Sequence, residues 1–138
     1  MQAVAFHLAF PVTNLEATKD FYGQVLGCDL GRESDKWVDF NFFGHQLSAH
    51  LCETMPIIPT NLVDGKAVPV SHLGAVLGWN DWEELALSLQ KQQITFLIEP
   101  YIRFKGLVGE QGTFFVLDPS GNGVEFKSFK SESAIFAK

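Results

Sequence analysis

The 138-residue chain has only two cysteines, Cys28 and Cys52, and no run of apolar residues that approaches the ~20 needed to cross a bilayer. Two cysteines so placed form no zinc motif, and in a reducing compartment they are expected to be free thiols. The chain is also poor in positive charge, with 10 Lys and Arg against 16 Asp and Glu and a formal net charge of −6. No basic run and no interleaving of basic with aromatic residues occurs, which argues against nucleic acid as a partner. No signal-peptide pattern precedes the first apolar segment, so the expected compartment is the cytoplasm and no membrane partner is expected. Histidine is scarce, with four in the chain, whereas phenylalanine is abundant at thirteen. With 46% hydrophobic residues the chain can bury a sizeable core, and its length fits one domain.

An internal repeat organises the rest. Phe6-His7-Leu8-Ala9 is echoed by Ser71-His72-Leu73-Gly74 after a shift of 65 positions. Each copy opens on a His-Leu strand, followed by a polar break, Thr13-Asn14 in one and Asn80-Asp81 in the other. Leu15, Thr18, Phe21, Tyr22, Val25 and Leu26 then follow helical spacing, as do Trp82, Leu85, Ala86 and Leu89, with Asn14 and Asp81 as N-caps and Gly27 as the first stop. Three strand-like runs rich in Phe, Val, Ile and Leu complete each half. The expected fold class is α+β, built from two β-α-β-β-β modules. Module 1 spans about 3–53, a Pro-containing linker 54–69, module 2 about 70–130, and a tail 131–138. Phe40 to His50 is matched to Phe115 to Glu125 at a shift of 75, ten more than at the start of the repeat. The surplus falls in 99–112, read as a long loop that shapes a substrate pocket.

Alternation along the strands places the chemistry. His7 shares a face with Ala5 and Ala9, and His72 shares one with Gly74 and Val76. Glu125 lies beside Lys127, and His50 beside Ser48 and Gln46. All four therefore fall on faces turned away from the helices, and three histidines with one carboxylate in symmetric positions suggest a single metal. Two histidines plus a carboxylate suit a divalent first-row metal with open positions, as in Fe(II) oxygen chemistry; without a thiolate, a closed structural zinc is disfavoured. Trp37, Asp39 and Asn41 share one face of a strand and would line a pocket with Gln46. Tyr101, Arg103 and Lys105 would add an aromatic wall and a cation to meet a carboxylate or enolate. His45, beside Gly44, reads as a turn residue.

The residues 7 to 12 (His-Leu-Ala-Phe-Pro-Val), the helix end from Asp20 to Gly27, and the phrase from Phe115 through Asp118-Pro119-Ser120-Gly121 to Glu125 resemble the vicinal-oxygen-chelate superfamily. That group contains glyoxalase I, extradiol dioxygenases, fosfomycin-resistance enzymes and bleomycin-binding proteins, and the resemblance covers roughly residues 3 to 130. It implies a cup-shaped sheet around one divalent ion (Fe, Mn, Ni or Zn), with His7, His72 and Glu125 as ligands. His50 would be a fourth ligand or an acid–base group. It also implies a homodimer and a small substrate that chelates the metal through adjacent oxygens. Phe115, counted among the substrate-binding residues, stands where extradiol enzymes carry a tyrosine. The resemblance leaves open a dioxygenase, a lyase or isomerase, and a non-catalytic drug-sequestering protein like the bleomycin-resistance members.

Overall fold

Asn14 starts the first helix as its spacing predicts: its side-chain Oδ1 accepts a hydrogen bond from the Ala17 N–H at 2.9 Å. The computed structural model describes residues 1–138. In chain order it contains β1 (His7–Val12), α1 (Leu15–Lys19) continued by a π-helical turn (Asp20–Val25), β2 (Asp29–Glu33), β3 (Trp37–Phe42), β4 (His45–Leu51), β5 (Thr60–Val63) and β6 (Lys66–Pro69). These are followed by β7 (Leu73–Val76), α2 (Trp79–Lys91), β8 (Phe96–Arg103), β9 (Gln111–Leu117), β10 (Gly123–Phe129) and a short 3₁₀ turn (Glu132–Ala134). The fold is mixed α+β, and it divides into two compact units, residues 1–57 with 118–122 and residues 58–117 with 123–138.

Unit 1 holds a four-stranded sheet in the order β1-β4-β3-β2, with β1 parallel to β4 and the other pairs antiparallel. One face packs through Phe10, Val12, Val38, Phe40, Phe42 and Leu47 on the helical segment, which contributes Phe21, all buried. Tyr22 is fully buried at the centre, its ring 5.2 Å from Phe40 and 5.6 Å from Phe10. Its hydroxyl donates to Asp118 Oδ2 at 3.0 Å, which ties the later segment 118–122 into this unit. Asp118 Oδ1 accepts from the Ser120 and Asn122 backbone N–H groups, and Asn122 Nδ2 donates to the Pro11 carbonyl. The Asp118-Pro119-Ser120-Gly121-Asn122 phrase, conspicuous in the sequence, is thus a clasp made by its own turn chemistry. Burial, and then the adjacent Asp118, push the Tyr22 phenol well above its ordinary pKa, so it stays a donor.

Unit 2 repeats the topology as β7-β10-β9-β8. Helix α2 lays Trp82, Ala86 and Leu89 on the sheet, where Phe114, Val116, Val124 and Phe126 are buried. The Trp82 indole N–H donates to the Phe126 carbonyl at 2.9 Å. Gly112 is required beneath that indole, since a Cβ there would lie 2.7 Å from the ring.

Four details differ from the sequence reading. Gly78, not Asp81, is the N-cap of α2; the helix begins three residues earlier, at Trp79, and Asp81 sits in its first turn, where its charge suits the helix dipole. The segment 54–69, read as a linker, contains the β5–β6 hairpin, closed by Asp64 (φ 50°) and Gly65 (φ 73°) in the left-handed conformations of a two-residue hairpin turn. Only the middle of the supposed loop 99–112 lies outside the strands: β8 runs to Arg103 and β9 starts at Gln111, with a register shift between Ile98 and Tyr101 that accommodates Pro100. Finally, strand register replaces the 75-residue match. Ala9 pairs with Ser48 where Gly74 pairs with Glu125, so the counterpart of Glu125 is Ser48, at a shift of 77. By the same register His50, opposite Pro11, corresponds to Lys127, opposite Val76.

Candidate functional site

A polar cluster that joins a histidine to a carboxylate lies on the face of the unit 2 sheet turned away from α2. His72 precedes β7, and its Nδ1 is 2.7 Å from the Pro69 carbonyl. A carbonyl can only accept, so Nδ1 carries the proton. Its Nε2 lies 2.9 Å from Glu125 Oε2 on β10, and Thr113 Oγ1 on β9 donates to the other carboxylate oxygen at 2.7 Å. With Nδ1 committed, Nε2 can face a carboxylate only if a proton or a cation lies between them. In the metal-free chain that is a proton: the hydrogen bond with Glu125 raises the His72 pKa against the opposing effect of burial, and the Pro69 carbonyl adds to it. Burial pushes Glu125 upward, but the hydrogen bonds from His72 and Thr113 and the charges of Lys127 and His72 outweigh it and hold the carboxyl below its usual value.

The donor chemistry of this pair fits a divalent cation. An imidazole nitrogen and a carboxylate oxygen are ligand types that suit divalent first-row metals, and here they converge to 2.9 Å. The supporting contacts are those of a metal-ligating histidine, whose other ring nitrogen donates to a carbonyl, and of a ligating carboxylate held by a hydroxyl. Close packing leaves the pair little freedom. A Cβ on Gly74 would overlap the Glu125 carbonyl, one on Gly123 would lie 3.3 Å from the His72 Cβ, and the buried Phe115 ring meets the imidazole edge-on at 4.9 Å.

The other candidate residues are distributed as follows. His7 and His50 lie on one face of the unit 1 sheet, both exposed. Register sets His7 opposite Gln46 and His50 four residues further along β4, about 13 Å at the rise of a strand. Neither unit gathers three or more His, Cys, Asp or Glu side chains in metal-ligating geometry. Trp37 is half-buried opposite His50. Asp39 is buried and accepts from Ser48 Oγ at 2.6 Å; with Gln46 it lines a cleft of about 380 Å³. Tyr101 and Arg103 lie on β8 and are engaged with the hairpin: Arg103 Nε donates to Asp64 Oδ2 at 2.6 Å and the Tyr101 hydroxyl donates to the same oxygen at 3.1 Å. Lys66 Nζ lies 4.2 Å from the Tyr101 ring centre. Lys105 is exposed in the turn between β8 and β9.

Three contributors escaped the sequence reading. Thr113 could have been found by alternation along β9, because it shares the Glu125 face. The Pro69 carbonyl meets His72 across a local three-residue bend, whereas the Asp64 latch depends on where the hairpin lands.

Each unit contains a β-α-β-β-β module, and the second carries the His–carboxylate pair on its helix-free face. The chain belongs to the Glyoxalase/Bleomycin resistance protein/Dioxygenase superfamily, whose family model matches residues 5–126. It is similar to a glyoxalase/bleomycin resistance protein/dioxygenase from Alicyclobacillus acidocaldarius, at 30% identity, 96% coverage of both chains and a TM-score of 0.80. In fold it is also similar to a glyoxalase/dioxygenase from Nostoc punctiforme (17% identity, 92% and 91% coverage, TM-score 0.68). A lactoylglutathione lyase from Agrobacterium tumefaciens shares the fold as well (15% identity, 99% and 98% coverage, TM-score 0.67). Comparison with curated proteins finds no match. No helix is long and apolar enough to cross a membrane.

Proposed function

We propose that the protein is a divalent-metal-dependent enzyme of the glyoxalase/dioxygenase type, acting on a small substrate with two adjacent oxygens. The observation that carries this reading is the His72–Glu125 pair, held 2.9 Å apart with its outer hydrogen bonds already made. His72 and Glu125 would hold the ion, with His7 as a further ligand and His50 as a fourth ligand or acid–base group. A bound Fe, Mn, Ni or Zn ion supplies Lewis acidity, lowering the pKa of an enol or hydroxyl that chelates it. The chain's own residues have separate tasks. The Pro69 carbonyl keeps Nε2 as the histidine's free nitrogen, Thr113 fixes the rotation of the Glu125 carboxylate, and Phe115 keeps water from the imidazole edge. Tyr101 and Arg103 on β8, Lys105 in the turn after it and Trp37 on β3 would contribute substrate-binding surface. The same reading places a homodimer in the cytoplasm, in keeping with two unbridged cysteines.

The test is elemental analysis of untagged, chelator-free protein, followed by anaerobic reconstitution with Fe(II), Mn(II), Ni(II) and Zn(II). Binding of about one equivalent per chain is expected, lost in His72→Ala with the circular dichroism spectrum unchanged. Mixing His7→Ala with Glu125→Ala chains restores activity only if a site draws ligands from two chains. If none of the four metals binds, the better reading is a non-catalytic small-molecule-binding protein that uses the unit 1 cleft.

A further inference from the structure

The cleft in unit 1 contains none of the proposed metal ligands, yet it is built as a binding site. Asp39 forms its floor with only 8% of its surface exposed. Ser48 Oγ donates to Asp39 Oδ1, and Oδ2 receives no hydrogen bond from the protein. Oδ2 is not sealed from solvent, since Ser128 Oγ is the one buried side-chain atom without a partner, so it keeps its full accepting capacity for a ligand N–H or O–H at the cleft. Asn41 lines the wall with its Oδ1 occupied by the Gly44 N–H at 2.9 Å, which leaves its amide nitrogen to donate. Gln46 is exposed beside it, its side-chain amide unpaired.

A cation stands at the rim. Arg32 lies where the β2–β3 register shifts between Leu30 and Glu33, an irregularity of the kind that re-aims a side chain, and its guanidinium makes no ion pair. Gly31 keeps the floor open: a Cβ there would lie 3.2 Å from the Asp39 Cβ, and anything larger would occupy the cleft. The volume, about 380 Å³, lies within the ~300–1,000 Å³ typical of small-molecule sites.

From this arrangement we infer that the unit 1 cleft binds a small carboxylic acid that also carries a hydrogen-bond donor, a hydroxy or an amino acid. The carboxylate meets Arg32 and the Asn41 amide, and the hydroxyl or ammonium group meets Asp39 Oδ2. A guanidinium free to pair and an acceptor without a donor select for both groups together, so a ligand lacking either should bind poorly.

The test uses chelator-treated, metal-free full-length protein and ¹H–¹⁵N NMR titrations with four probes: lactate, alanine, propionate, which lacks the donor, and lactamide, which lacks the charge. Lactate or alanine is expected to give saturating shifts at the Gly31, Asn41 and Gln46 amides, and the tighter of the two identifies the donor. Propionate and lactamide should bind about tenfold more weakly or less, as should lactate or alanine to Arg32→Gln, each change removing one charge-assisted or buried hydrogen bond. Gly31→Val should abolish the shifts while preserving spectral dispersion. Absence of localised shifts with both acids, propionate or lactamide equalling them, or undiminished binding by Arg32→Gln would overturn the inference. No metal enters these titrations. Their failure leaves the metal reading standing, and failure to bind metal leaves the cleft standing.

Discussion

The two units share a strand order and a helix-packed face, but they carry different chemistry on the opposite face. In unit 2, β10 presents Glu125 between His72 and Thr113. In unit 1, the residue at the Glu125 position is Ser48, and the carboxyl stands one strand over at Asp39, where unit 2 has Phe115. Moving a carboxyl by one strand shifts it about 4.8 Å, enough to separate it from the histidine of its own first strand. One unit therefore has a His–carboxylate pair suited to a cation, and the other has a Ser–Asp pair facing a cleft. A duplicated backbone preserves pleat and register, while single positions on the free face decide which ligand each copy can hold.

The sharpest way to break this contrast is at the strand pairs that define it. Gly74→Ala puts a Cβ into the Glu125 carbonyl and should force β7 away from β10, costing about 2–3 kcal/mol in denaturant unfolding. It should also separate His72 from Glu125 and weaken metal binding. At the matching position of unit 1 a Cβ is already accommodated, so Ala9→Gly should cost roughly 1 kcal/mol or less. Equal costs at the two positions would mean that the units are not packed as differently as described.

A smaller effect is expected at the unit 1 clasp. Tyr22→Phe removes the buried donor to Asp118 and should cost about 1–2 kcal/mol. Hydrogen exchange should quicken at residues 118–122 and remain unchanged in α2. Uniform quickening would show that the clasp is not local.

The His72–Glu125 pair adds a pH dependence to the metal-free protein. Glu125 is depressed on folding, so its contribution is complete above its ordinary value of 4.5 and is lost as pH falls through the lower folded value. His72 is raised on folding, so its contribution is complete below 6.5 and is lost as pH rises through the higher folded value. The pair therefore stabilises most between about pH 4.5 and 6.5, and a modest maximum in the melting temperature should lie there. His72→Gln should flatten it, whereas His7→Gln should not; identical profiles would remove the distinction between the units. The smallest effect is a difference in labelling. Cys28 is buried, and burial together with the charge of Asp29 pushes its thiol up to about 11, while Cys52 is exposed. Iodoacetamide at neutral pH should modify Cys52 and leave Cys28 intact until the protein unfolds.

Much of this was legible in the chain. The repeat of His7-Leu8 as His72-Leu73, the Asn14 cap and the alternation of Phe10 and Val12 against His7 and Ala9 are local patterns, and local patterns survive without knowledge of tertiary contacts. Strand alternation likewise put His72 and Glu125 on the correct face. The reading lost accuracy where pairing decides the outcome. Sequence spacing matched His50 to Glu125, but a two-residue difference in register makes Ser48 the counterpart and leaves His50 beside Pro11 and Trp37. Tyr101 and Arg103 were placed in a loop because the second half of the repeat is ten residues longer, yet β8 carries both, continuing past Pro100 through a register shift.

Composition and periodicity by themselves determined the α+β class, the doubled module and the faces on which the histidines lie, because side-chain alternation and helical spacing are properties of the chain alone. Only the tertiary structure decided which donors meet. It brought His72 with its Pro69 carbonyl, Thr113 and Glu125 together from three separate segments, set Asp64 against Arg103, and left Asp39 Oδ2 without a protein donor at the cleft. Hydrogen bonds form over about 3 Å, and at that scale strand register and hairpin placement decide the partners.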